Sequence, residues 1–185
     1  MTAEGVRAHK RELMKLFDTS DLPVSSASVE RRMAHVANLE RQRRGRYAAF
    51  ASTLFISLAQ RTPDVATLDA VAELFEYVMQ KRETAEFRRA LQRERIVPRI
   101  AELMGASHPL QVRGAAMNCL SAFTGATQYE ASVPAMAWEV LNTPNMARLL
   151  IDLMSVDTAY KYGLDGVITL LQKITKKNKI GRAHV

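Results

Sequence analysis

Cysteine is almost missing from this chain, and glycine and proline are scarce. The single cysteine, Cys119, among 185 residues cannot close a disulfide within the chain and offers no thiolate set for zinc. That usage is expected of a reducing intracellular compartment and excludes a disulfide-stapled scaffold. Eight glycines and six prolines fall well short of the roughly 12% these residues usually make up together, which leans towards helices with few turns. Long apolar runs are lacking as well. The longest charge-free stretches, 47–60 and 114–129, are dotted with Ser, Thr, Asn or Gln and are shorter than the roughly 18–20 residues of a membrane-spanning helix. Nor is there a dense block of one charge. Residues 1–100 carry 18 basic and 13 acidic groups and residues 101–185 carry 8 and 6, for a net charge of +7. Such a surface attracts polyanions or acidic protein faces, but it lacks the basic arm of a dedicated nucleic-acid binder.

With 48% hydrophobic and 24% charged residues, the chain has the balance of a folded protein, and its length fits one domain or part of a solenoid. Apolar residues recur at helical spacing in nearly every segment. Tyr47, Phe50, Ala51, Leu54 and Leu58 share one face, as do Leu68, Val71, Ala72, Phe75, Val78 and Met79. Val112, Ala115, Ala116, Cys119, Leu120 and Phe123 repeat the pattern, and Leu164, Val167, Ile168, Leu171 and Ile174 carry it towards the end. These stripes demand burial against neighbouring helices. Thr62-Pro63 and Thr143-Pro144 each place a capping hydroxyl before a proline suited to a first turn, and Gly125 is suited to close a helix ending near Phe123. The pattern predicts an all-α protein of about nine helices over 6–17, 28–44, 46–60, 63–82, 84–93, 96–104, 109–124, 133–142 with 144–155, and 158–177.

The chain also resembles itself. Residues 99–104 (Arg-Ile-Ala-Glu-Leu-Met) align with 149–154 (Leu-Leu-Ile-Asp-Leu-Met) at an offset of 50, and the following helices align with one extra residue between them. A weaker copy pairs 46–50 with 113–117, so that Arg46 falls on Arg113. Small residues at Ala48, Ala115 and Gly166 would let packed helices approach closely. The segments 96–104 and 112–123 resemble the second and third helices of an armadillo repeat. Across about 84–177, and loosely over 28–82, the chain is similar to the armadillo/HEAT class. The resemblance implies a right-handed α-solenoid of about three repeats that docks partner proteins through its helical surface. The Trp/Asn ladder with which nuclear import adaptors hold extended peptides is missing, since Asn118, Ala122, Thr169 and Lys173 stand at the matching places.

Three segments follow: 1–27 as an amphipathic helix and linker, 28–178 as the repeat domain, and 179–185 as a tail outside the pattern. Residues 180–185 (Ile-Gly-Arg-Ala-His-Val) resemble one translated frame of a common short-read sequencing adapter, so this tail is expected to be non-native. The N-terminal helix has the basic amphipathic character of a transit peptide, but Glu4, Glu12, Asp18 and Asp21 spoil the acid-poor composition such peptides have. Cytoplasmic, axonemal and mitochondrial settings therefore all stay open.

No convergent set of His, Cys, Asp or Glu has catalytic or metal-ligand spacing, so no catalytic, cofactor-binding or metal residue is assigned and no enzyme is expected. Cys119 lies inside an apolar stripe and reads as core. The candidate partner or polyanion contacts are Arg41, Arg43, Arg44 and Arg46, with Arg88 and Arg89 in a second set interleaved with Glu83, Glu86 and Glu94. Trp138 and Tyr129 are expected to plug the joint between repeats, and Leu170, Leu171 and Ile174 to expose apolar surface at the C-terminal end unless further repeats or a partner cover it. These features point to a non-catalytic scaffold or subunit of a larger eukaryotic assembly, with protein partners. The alternative is a helical-repeat RNA-binding protein using the Arg-rich edge, for example in a mitochondrial ribonucleoprotein.

Overall fold

The helical periodicity is realised in the described residues. The computed structural model describes residues 1–18, 29–81, 84–125, 134–155, 167–168 and 170–172, and every regular element among them is an α-helix. In chain order these are α1 (Ala3–Phe17), α2 (Val29–Gln60), α3 (Val65–Met79), α4 (Thr84–Arg93), α5 (Ile96–Glu102), α6 (Leu110–Phe123), α7 (Pro134–Leu141) and α8 (Met146–Met154). Residues 167, 168 and 170–172 are helical too. No described helix is long and apolar enough to cross a membrane. The tail 179–185 lies outside the described residues.

The helix ends show where local chemistry departs from expectation. Segments 28–44 and 46–60 form one helix instead of two, because Gly45 is accommodated within α2. A helical glycine costs about 1 kcal/mol relative to alanine, and the buried Arg43 and Tyr47 on either side hold the helix through it. Thr62 does not cap α3. Asp64 does, its carboxylate accepting from the Thr67 amide at 2.7 Å, while Pro63 stays outside the helix. A carboxylate is the stronger acceptor for an orphan amide, and hydrogen bonding from the Thr67 hydroxyl first, and from its amide second, holds the Asp64 carboxyl below its usual range. Thr143 likewise does not cap α8, since its hydroxyl donates back to the Glu139 carbonyl at 3.1 Å. Asn145, in the left-handed region at φ 61°, precedes that helix instead. Gly125, at φ 72°, closes α6 as expected.

The most extensive contact is that of α3 on α6, followed by α1 on α3 and α2 on α4. Helices in extensive contact are never more than three apart in chain order among the described elements. Buried small residues Gly114, Ala115, Ala116 and Ala122 let α6 approach its neighbours closely. Ala48, expected in the same role, is exposed on the outer side of α2, and Gly166 lies outside the described residues. Val6 and Leu13 belong to the common core, so α1 is part of the packed body. Leu170 is also buried there and Leu171 packs against it partly buried, contrary to the expected exposure at this end, because Val167 and Leu170 turn inward together. Ile174 lies outside the described residues.

A chain of rings joins four helices. Phe87 of α4 meets Tyr47 at 5.1 Å, Phe50 at 6.1 Å and Phe75 at 5.7 Å, and Phe75 reaches Phe123 of α6 at 5.7 Å. All five rings are buried. Removing such a ring loses its transfer energy and leaves a cavity. Phe87→Ala is therefore expected to cost about 3–5 kcal/mol in urea unfolding monitored by circular dichroism, and a loss below about 1 kcal/mol would show that the site collapses without it.

Candidate functional site

Helical periodicity distributes the expected arginines around α2 and α4 instead of gathering them on one patch. Arg43 faces inward and is buried. Its Nε donates to the Leu16 carbonyl at 3.1 Å, and its guanidinium sits 4.7 Å above the Phe17 ring. It thereby satisfies a carbonyl of the last turn of α1, which lacks an intrahelical partner. Lys81 approaches the same ring at 5.6 Å and Tyr77 at 4.8 Å. Arg43 is thus a structural clamp and is withdrawn from any outer surface.

Arg44 and Arg89 come together through Glu86, at 4.0 and 2.7 Å. Arg46 meets Glu12 at 3.2 Å, and Lys15 reaches the same carboxylate at 3.3 Å. Arg88 points another way, towards α7. Its Nε is buried without a hydrogen-bond partner, and its charge acts on Glu139. Burial pushes the Glu139 carboxyl up, while a 2.8 Å bond from Gln92 and the Arg88 charge act in the opposite sense. Arg41 is exposed and makes no ion pair among the described residues. The six residues therefore serve five local environments, and a continuous polyanion track is not what their geometry forms.

Arg113 plays a part that repeat alignment alone misplaces. It is buried in α6 and its Nε donates to the Met104 carbonyl at 2.9 Å, just past the end of α5. Arg43 makes the equivalent bond to α1, three positions before the Arg46 that the repeat pairs with Arg113. The signal that distinguishes them is the helical face, since Arg43 continues the stripe of Tyr47, Phe50 and Leu54.

Cys119 is fully buried and donates its thiol to the Leu68 carbonyl at 3.0 Å. Burial, with a smaller effect from Asp69, pushes the thiol far above its usual range, so it does not form a nucleophilic thiolate. No group of three or more His, Cys, Asp or Glu able to hold a metal occurs among the described residues. Trp138 does not plug a joint: it is 67% exposed on α7. Tyr129 lies outside the described residues. Leu141 of the same helix, with Ile151 and Met154 of α8, is also exposed, and α7 and α8 touch. Comparison of the chain with protein-family models, with curated proteins and with solved structures gave no match.

Two outcomes follow from the inner charges. Arg43→Ala loses a charged hydrogen bond and a cation–π contact and is expected to cost about 2 kcal/mol, whereas Arg41→Ala should stay within about 0.5 kcal/mol in the same denaturant titration. Equal effects would contradict the clamp. His9 lies edge-on to Phe50 at 5.7 Å. Its pKa is lowered from 6.5 by burial first and by Arg46 second, with Glu12 opposing. The unfolded chain therefore binds the proton first as pH falls, so stability declines from about pH 7 down to the lowered folded value and levels off below it. His9→Gln should flatten that part of the stability-versus-pH curve, and an unchanged slope would place its origin elsewhere.

Proposed function

We propose that this chain is a non-catalytic scaffold or adaptor, an accessory subunit that docks partner proteins of a larger assembly through its helical surface. In this reading the helices stack as a right-handed solenoid of about three armadillo/HEAT-like units. The restriction of extensive contacts to helices at most three apart in chain order supports that stacking, since solenoid units touch only their neighbours. The observation that carries the docking reading is the outward apolar set on the adjoining α7 and α8. Trp138 is 67% and Ile151 64% exposed, with Leu141 and Met154 beside them in sequence at helical spacing. Aromatic and aliphatic side chains held in water on rigid helices have the character of interface anchors.

RNA binding by the Arg-rich edge is the weaker reading, because Arg44, Arg46 and Arg89 already face Glu86 or Glu12. Phosphate contacts would have to displace these pairs. As the chain's single tryptophan, Trp138 reports on the surface directly. The free protein is expected to show red-shifted emission that iodide quenches. Trp138→Ser with Ile151→Ser should leave the melting temperature within about 3 °C, as exposed substitutions do. The same pair should remove the protein neighbours that crosslinking mass spectrometry finds at α7–α8 in native extract. Blue-shifted emission in the free chain, unchanged neighbours in the double variant, or binding to single-stranded RNA with a steep salt slope would overturn the proposal.

A further inference from the structure

Few side chains seat α7. Its eight residues bury Met136, Ala137 and Val140, and the helix touches α5, α6 and α8. Among the described residues, the one side-chain hydrogen bond that ties it to another helix comes from α4, where Gln92 Nε2 donates to the Glu139 carboxylate at 2.8 Å. Arg88, one turn before Gln92 on the same face of α4, completes the cluster. Its charge acts on Glu139, yet the two form no ion pair among the described residues, and the Arg88 Nε is buried without a hydrogen-bond partner. The joint thus holds a half-buried carboxylate served by one neutral donor, with an unused guanidinium nitrogen beside it. A buried charge without a close opposite charge is costly, whereas the neutral acid in the same place is far less so.

The charges of the surrounding helices are engaged elsewhere. In α5 Arg99 pairs with Glu102, in α6 Arg113 bonds the Met104 carbonyl, and in α8 Arg148 stands against Asp152. In α4 Glu86 and Arg89 face each other, and Arg93 is exposed. Seated, Glu139 is driven towards its neutral form; lifted into water, it is an ordinary carboxyl. Burial, the largest influence, pushes the seated carboxyl up, while the Gln92 bond and the Arg88 charge oppose this. The seated helix therefore binds the proton more tightly than the lifted one. We propose that Arg88, Gln92 and Glu139 form a proton-sensitive latch that seats α7 when Glu139 is neutral and loosens it when Glu139 is ionised. Trp138 and Leu141 ride on α7, so the latch sets how firmly the outward apolar surface is held. This deepens the docking reading and rests on it for its role, but the latch itself operates in the free chain.

Hydrogen exchange of the full chain, read by mass spectrometry on the peptide covering α7 and corrected for the intrinsic pH dependence of amide exchange, measures the opening directly. By linkage, opening is least frequent below the ordinary carboxyl value of 4.5, grows as pH rises towards the raised value, and is level above it. Each unit between the two values is about tenfold in the opening constant, so a rise of at least about threefold between roughly pH 4 and pH 8 is expected. His9 acts in the opposite sense on the whole fold, so the amides of α3 should not follow. Glu139→Gln keeps the shape and an acceptor for Gln92 but carries no charge. It should flatten the α7 profile and raise protection at high pH at least about threefold over the unsubstituted chain. A flat profile in the unsubstituted chain, an unchanged slope in Glu139→Gln, or a rise shared by α3 overturns the proposal. So does weaker protection of α7 in Glu139→Gln at high pH, since the ionised carboxylate would then be what holds the helix. The crosslinking experiment on Trp138 and Ile151 needs no change of pH, so failure of the docking reading and failure of the latch are distinguishable.

Discussion

Phe87 is the residue on which the arrangement depends. Helix α4 is otherwise mostly polar, and Phe87 with Ala90 and Leu91 is what roots it in the core. By meeting Tyr47, Phe50 and Phe75, that ring sets where α4 lies against α2 and α3. The opposite side of α4 is thereby fixed as well. Glu86 falls between Arg44 and Arg89, and Gln92 reaches Glu139 on α7. The surface charge pattern is therefore a consequence of apolar packing and not an independent design of the polar residues.

One residue type does several kinds of work here because burial decides its chemistry. Arg43 and Arg113 spend their guanidinium groups on carbonyls at or just past the ends of α1 and α5, where the helix leaves acceptors without partners. Arg44, Arg46 and Arg89 share carboxylates with neighbouring helices in water, where each pair contributes little to stability. A run of arginines in the sequence is thus cut by the 100° turn per residue into inward clamps, lateral pairs and outward charge.

The two outward apolar sets have different origins. On α7 and α8 the exposed residues lie on two short helices that follow α6. On α2 the exposed Val29, Met33 and Val36 continue a face that is core a few turns later. A helix cannot change the face of its seam without changing its spacing, so the projecting half keeps the chemistry of the buried half.

Much of the fold was legible because helix formation and its apolar face are local properties. The sequence by itself determined the all-α class, the stripes of α3 and α6, the closure at Gly125 and the burial of Cys119, since each depends on residues within one or two turns. It misread the break at Gly45 and the caps at Thr62 and Thr143, where a neighbouring carboxylate or packing outweighed a weak local preference. It also offered Arg41, Arg43, Arg44 and Arg46 as one set of candidate contacts and Arg88 and Arg89 as part of a second. Only the tertiary structure decided that Arg88 turns to Glu139, that Trp138 is in water and that Leu170 is not. Those outcomes depend on which helix packs against which face, and periodicity says that a face must be covered without saying what covers it.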